Sequence, residues 1–248
     1  MLIQGQINPG KLASEKMWYW WGCSVVNRLA SSLLDLDVVE QSPMPPGPKI
    51  ITPNHPTTID PFVLLTLAPE QISILVTGGA FNVPLFGRIL RRSGHIPVVR
   101  GEARRAFEEA RRRLEEGRSI GIAPEGALSA LDDSFPRARS GAARLALLTG
   151  APVIPVGIHL ERDRIRYKTV TMEGKPATAR FYRGPYAVTV GSPMYFNGDM
   201  QDHALVKFTT ERIMRRIMQL SRESAIRMHA KQSLQFEPLP RTGLPSPN

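Results

Sequence analysis

A mixed α/β fold, with a largely parallel central sheet flanked by helices, is predicted for this chain by three observations. Short apolar runs recur at Ile50-Ile51-Thr52, Ile72 to Val76, Ile96 to Val99, Ile120 to Ala123 and Val153 to Ile158. Segments of helical pattern lie between them, and that alternation builds a sheet with helices on both faces. The composition agrees: 248 residues, 42% of them hydrophobic, with Gly and Pro dispersed, suffice for one large domain with a proper core.

The elements follow in chain order. Residues 1 to 10 carry Gly5, Pro9 and Gly10 and read as a loose leader, after which a helical pattern gathers Leu12, Met17, Trp18, Trp20, Trp21, Val25, Val26, Leu29, Leu33 and Leu34. Residues 1–40 are thus read as an N-terminal amphipathic helical segment holding all three tryptophans. Trp and Tyr rings favour the level of lipid headgroups, and Lys11, Lys16 and Arg28 add positive charge, so one reading is docking on an anionic membrane surface. The other is that the aromatics cap the domain core; a helix with one face to each satisfies both. The apolar stretch from Met17 to Val26 falls far short of the ~20 residues of a spanning helix, and no cleavage-site pattern follows it. The expected location is therefore peripheral, on the cytoplasmic face of the membrane.

Four prolines make residues 41–49 a linker. The domain proper is read as 50–231. It contains a helix from Pro61, a strand at Ile72 to Val76, a short helix from Val83 to Arg91 and a strand ending on Arg100. Ala103 to Glu116 is a charged amphipathic helix with Phe107, Ala110 and Leu114 on one face, closed by Gly117. A strand at Ile120 to Ala123 leads into Pro124-Glu125-Gly126, and a helix from Gly141 to Thr149 precedes the strand at Val153 to Ile158. Beyond Leu160 come a hairpin flanking Glu173 to Pro176, a strand at Ala187 to Val190 and a long helix from Asp202 to at least Arg222. The proline-containing tail 232–248 is expected to be disordered.

A formal net charge of +10 and a pI near 10.2 point to an anionic partner: nucleic acid, a membrane surface or a phosphorylated substrate. Nucleic acid is disfavoured, because Arg104-Arg105 and Arg111 to Arg113 alternate with Glu102, Glu108, Glu109, Glu115 and Glu116 on one helix, the pattern of a solvated face. Cys23 is the only cysteine, which excludes an intrachain disulfide and a cysteine metal cluster. His95, His159, His203 and His229 show no ligand spacing with acidic residues, so no metal is expected.

The chemistry-bearing stretch is Asn54-His55-Pro56-Thr57-Thr58-Ile59-Asp60. On a helix, residues five apart would be rotated by roughly 140° and would not share a face; a loop can fold them together. Pro56 disfavours a helical His55, while Asp60 before Pro61 reads as a helix N-cap. Two readings of the pair stand on these residues alone. Asp60 is only a cap and His55 a loop histidine; or Asp60 bonds one ring nitrogen and leaves the other a proton acceptor, a general base.

Together with Gly94 to Arg100, Pro124-Glu125-Gly126 and Ile154-Pro155-Val156, this loop resembles the four signature blocks of the glycerolipid acyltransferase family that includes 1-acylglycerol-3-phosphate acyltransferase. The resemblance covers roughly Ile50 to Gly157, and the N-terminal helices are similar to the membrane-docking helices of some bacterial members. It implies His55 as base, Asp60 as its orienting partner, Arg100 as a contact to the acceptor's phosphate, and Glu125 and Gly126, with Asn54, in holding the acceptor. It also implies a thioester donor, acyl-CoA or acyl-carrier protein, as co-substrate without any cofactor, a lysolipid acceptor, and no acylated enzyme. One departure stands out: members acting on lysophosphatidic acid usually follow Pro-Glu-Gly with Thr and an arginine, whereas here Ala127, Leu128 and Ser129 follow, with Arg137 and Arg139 further on. That departure keeps open a non-phosphate lipid acceptor, or lipid binding without turnover. A hydrolase lacks support because no Gly-x-Ser-x-Gly elbow is present.

Overall fold

The computed structural model describes residues 9–130, 138–172 and 174–235. Helix α1 (Pro9–Leu33) runs directly into strand β1 (Leu34–Glu40). There follow β2 (Ile50–Pro53), α2 (Asp60–Leu64), β3 (Ile72–Thr77), a 3-10 turn (Gly78–Asn82), α3 (Phe86–Arg92) and β4 (Ile96–Val98). Next come α4 (Ala103–Glu115), β5 (Ser119–Gly121), α5 (Gly141–Thr149) and β6 (Val153–Leu160). The hairpin β7 (Arg166–Met172) and β8 (Lys175–Phe181), strand β9 (Gly184–Val190) and the long α6 (His203–Gln235) follow to the end of the described residues.

Seven strands form one sheet in the order β1-β9-β6-β2-β5-β3-β4, and β7 and β8 pair antiparallel by themselves. From β6 to β4 every neighbour is parallel; β9 is antiparallel to β6 and carries β1 parallel beside it. The mixed, largely parallel sheet predicted from the alternating runs is thus present. Pleating divides the core: Ile51 and Ile154 face one apolar cluster with Tyr19, Cys23 and Leu64, whereas their neighbours Ile50 and Val153 face another with Ala110, Leu145 and Ile213. Helices α1 and α2 therefore cover one face and α4, α5 and α6 the other.

Four expectations are corrected. Residues 34–40 are a strand, not the end of a helix, and they bond along the whole length of β9 from Leu34↔Gly184 to Glu40↔Val190. Pro9 and Gly10 belong to α1, where proline's missing N–H is harmless in the first turn. The helix expected from Val83 starts at Phe86, because Leu85 adopts a positive φ of 62° that breaks the turn before it. Residues 232–235 continue α6, since the last residues of a long helix retain their backbone bonds; 236–248 lie outside the described residues.

Two close contacts fix the layers. A Cβ on Gly157 would lie 2.1 Å from the backbone of Leu220 and Ser221, so only glycine lets α6 rest directly on β6. There the Ser221 and Ser224 hydroxyls donate to the Ile158 and Gly157 carbonyls at 2.8 and 3.0 Å. Between the helices of the two faces, Glu15 of α1 accepts from Arg113 of α4 at 3.1 Å and from Arg118, next to β5, at 2.6 Å, all three buried. Burial alone pushes the Glu15 carboxyl up, but the Arg118 hydrogen bond and both guanidinium charges outweigh it and hold the group below its ordinary value.

His95 sits in this buried region, and its Nδ1 accepts the Ile74 N–H at 3.2 Å. Burial, then the charge of Arg113, lowers its pKa from 6.5 to about 4. The unfolded chain thus takes up a proton near pH 6.5 and the folded chain only near pH 4, so stability from this group is intact above the first value and lost as pH falls toward the second. Between about pH 7.5 and about pH 4.5, the wild type should lose about 2.5 kcal/mol more unfolding free energy than His95→Gln. Denaturant titrations at both pH values measure this, and equal losses would refute the role given to His95.

Candidate active site

The site forms at the carboxyl end of the parallel strands, where ligands gather in open α/β sheets. The β2 strand stops at Pro53, and the chain from Asn54 to Ile59 turns across its end before α2 begins at Asp60. Within that loop the His55 Nδ1 lies 2.9 Å from Asp60 Oδ2. Asp60 is fully buried, whereas the His55 side chain keeps about one-fifth of its surface, 20%, exposed. The loop therefore presents one edge of an imidazole whose other edge is held by a carboxylate.

Asp60 is not the helix cap expected from the sequence. Ile59 occupies that position without a side-chain bond, and Asp60, the first helical residue, turns its carboxylate back into the loop. Oδ2 also accepts the Thr57 N–H at 2.7 Å, while Oδ1 accepts the Thr57 hydroxyl and the Tyr186 hydroxyl, the latter at 2.6 Å. The helix has only five residues and proline at its second position, so the side chain answers the loop N–H groups as the reciprocal arm of a capping box does. Burial, and then the Asp60 charge and hydrogen bond, raise the Tyr186 hydroxyl well above its ordinary pKa, which keeps it a donor. With Oδ2 accepting, the proton of the imidazole sits on Nδ1 and Nε2 keeps its lone pair.

β5 lies beside β2, and the turn after it brings Glu125 against the same loop. The His55 N–H is shared between Glu125 Oε1 at 3.0 Å and the Ser129 hydroxyl at 2.9 Å, and that hydroxyl donates to Glu125 Oε1 at 2.7 Å. Ser129 also gives its N–H to the His55 carbonyl at 2.7 Å. Burial raises the Glu125 pKa, with Ser129 and the His55 N–H partly offsetting it. Its Oε2 is buried with no hydrogen-bond partner among the described residues.

The remaining predicted residues fall in different places. Asn54 is tied to the sheet: its amide accepts the Ile158 N–H at 2.7 Å and donates to the Ile158 carbonyl at 2.9 Å, joining the loop to β6. Gly126 holds φ at +65°, and a Cβ there would meet Arg139 Nε at 2.3 Å. Arg139 thus lies across the turn with its side chain exposed, while Arg137 is outside the described residues. Arg100 is exposed just past β4, three strands from β2 and so roughly 14 Å across the sheet. The structure thus joins His55, Asp60 and Glu125 in one hydrogen-bonded cluster and leaves Arg100 apart from it. Sequence reasoning missed Thr57, Ser129 and Tyr186; only the first two, as hydroxyls inside the motifs themselves, carried a local signal.

Fold and site together define an open-sheet α/β protein whose polar centre is an imidazole held by a buried carboxylate. The acyltransferase family model matches residues 35–159, half of the chain. The chain belongs to this acyltransferase family. Among curated relatives, a chloroplastic 1-acyl-sn-glycerol-3-phosphate acyltransferase of Brassica napus is 30% identical over 49% of this chain and 36% of its own length. A 1-acyl-sn-glycerol-3-phosphate acyltransferase of Borreliella burgdorferi is 31% identical over 44% of this chain and 45% of its own. The chain thus spans less than half the length of these relatives. The crystal structure of the 1-acyl-sn-glycerophosphate (LPA) acyltransferase PlsC from Thermotoga maritima superposes with a TM-score of 0.60 at 20% identity, covering 87% of this chain and 84% of that one, and so shares the fold.

Asn54→Ala would leave the buried Ile158 N–H without a partner, while the Ile158 carbonyl would keep the Ser221 hydroxyl. The expected cost is about 1–3 kcal/mol of unfolding free energy, the usual range for one unsatisfied buried group. Urea unfolding reads it directly, and a loss below about 0.5 kcal/mol would contradict the strut role of Asn54.

Proposed function

We propose that this protein transfers a fatty acyl chain from a thioester donor, acyl-CoA or acyl-carrier protein, to a hydroxyl of a lysophospholipid such as 1-acylglycerol-3-phosphate. The observation that carries the proposal is the His55–Asp60 pair: Asp60 fixes Nδ1–H, so Nε2 can take the proton of the attacking hydroxyl. The imidazolium that forms is stabilised by the same carboxylate, and no acylated enzyme residue is needed. Membership of the acyltransferase family and the activities for which the relatives are named support the reading.

Glu125 and Gly126 hold the acceptor in this scheme. The unpartnered Glu125 Oε2 is suited to accept a hydrogen bond from a second polar group of the acceptor, and Gly126 lets the turn pass beneath Arg139. Arg100 and Arg139 are exposed cations at the strand ends that can meet a phosphate. A second reading, a lipid acceptor without phosphate, is favoured by one observation: Ala127 and Leu128 stand where relatives of this kind usually carry Thr and Arg. No cofactor enters the reaction.

The protein acts at the cytoplasmic face of an anionic membrane in this proposal, bound by α1. No helix among the described residues is long and apolar enough to cross a membrane. Tyr19 and Cys23 of α1 are buried in the core, yet Met17, Trp20, Trp21 and Leu29 remain 46–64% exposed on its outer side. A helix apolar on both faces has one face left for lipid. Arg92 lies over the Trp18 ring at 4.8 Å and adds charge beside that face.

Two outcomes follow. His55→Ala and Asp60→Asn should each lower acyl transfer to 1-acylglycerol-3-phosphate by at least ~100-fold with the fold retained, and near wild-type turnover by either would sink the assignment. Replacing Met17, Trp20, Trp21 and Leu29 together by serine should abolish flotation with anionic vesicles; unchanged flotation would show that α1 is not the docking element.

A further inference from the structure

The β7–β8 hairpin stands outside the main sheet, yet it is attached at two places. At its far end Met172 packs on Ala80, Phe81 and Leu90 beside α3. Near its other end Arg180 meets the His55 loop with both its backbone and its side chain. Its N–H donates to the Thr58 hydroxyl at 2.9 Å, and its carbonyl accepts the Thr58 N–H at 3.0 Å. Its Nη1 donates to the Ser129 carbonyl at 2.6 Å and to the Pro56 carbonyl at 3.3 Å.

Those two carbonyls belong to different loops. Pro56 follows His55 at the end of β2, whereas Ser129 closes the turn that carries Glu125 after β5, and Ser129 already exchanges hydrogen bonds with the His55 backbone. Two carbonyl dipoles converging on one point repel each other unless a donor sits between them, and a cationic guanidinium fills that place with charge-assisted bonds. An ordinary surface arginine would keep its guanidinium in water; this half-buried one is committed to backbone on both sides of the proposed base.

The geometry points to Arg180 as a positioning residue that locks the His55 loop and the Glu125 turn into one unit. It acts through His55 and touches no reacting atom, and the inference rests on the acyl-transfer reading above. A displacement of about 1 Å of a catalytic group can lower turnover by about 100-fold, which is the scale at stake when two loops lose their common clamp.

The test uses the full chain carrying Arg180→Met or Arg180→Lys, with acyl-CoA and 1-acylglycerol-3-phosphate as substrates. Per folded molecule, Arg180→Met should lose about 10- to 100-fold in kcat with both KM values within about twofold, and Arg180→Lys should recover part of the loss. A second arm needs no turnover: the His55 ring signals, assigned in NMR spectra by their absence from His55→Ala, should shift or broaden in Arg180→Met while those of His95 stay in place. Should Arg180→Met fail to fold, Arg180→Lys decides by the same two readouts, a lowered kcat and a moved His55 signal supporting the inference. Unchanged kcat with an unchanged His55 signal would overturn it. So would a raised acceptor KM at unchanged kcat, which would make Arg180 an acceptor contact instead. If the wild type itself transfers no acyl group, the functional proposal fails and the NMR arm alone decides the role of Arg180.

Discussion

A carboxylate with no access to water needs a donor for nearly every lone pair, and the centre of this protein is built around satisfying one. Asp60 accepts from His55, from two groups of Thr57 and from Tyr186. Thr57 makes the loop turn back on itself, and Tyr186 comes from β9 on the far side of β6. The imidazole is thus oriented by a group whose own position depends on the sheet being complete to β9. Strand β9 depends in turn on α6, where Ser224 joins Thr189 at 2.7 Å and Arg227 donates to the Val188 carbonyl at 2.9 Å.

The same logic separates rigid from adaptable parts of the site. Asn54, Ser129 and Glu125 hold the loop through backbone groups, which fixes where His55 stands. Arg100 and Arg139 are exposed and lie outside that cluster. In the proposed reaction the base is pre-set, whereas contact with the acceptor's phosphate is left to exposed side chains outside the cluster. Glu15 and Tyr19 perform the matching service for α1: the former joins two buried arginines, and the latter accepts the Ile72 N–H at 3.0 Å. The outer apolar face of α1 is therefore carried on an element locked to the core.

Much of this was legible in the sequence for a physical reason. Buried parallel strands must be apolar on both faces, so runs such as Ile50-Ile51-Thr52 declare themselves, and Ala110 and Leu114 of α4 are buried as their spacing indicated, with Ala106 buried beside them and Phe107 only half-buried. The His55–Asp60 pair was readable because both residues lie in one loop. Strand β1 escaped notice although Leu34-Asp35-Leu36-Asp37 alternates, because no glycine or proline separates it from α1 and the helical pattern ran on into it. Tyr186 and Arg180 had no local signal at all: their partners at Asp60 and Pro56 stand 126 and 124 residues earlier, and only the folded chain brings them together. Asp60 was misjudged as a cap because Asp before Pro is a helix-start signal whatever the carboxylate goes on to bond.

The pairing of β1 with β9 also bears on how the chain reaches its fold. Leu34 and Gly184 are about 150 residues apart, yet they are neighbours in the sheet. During synthesis β1 emerges early and has no partner until the last strand has been made, so its edge stays open through most of translation. Helix α1, directly upstream, is meanwhile already available with its apolar surface uncovered. Closure of the sheet edge is thus a late event set by contact order, and the period before it is when this chain is most exposed to mispairing.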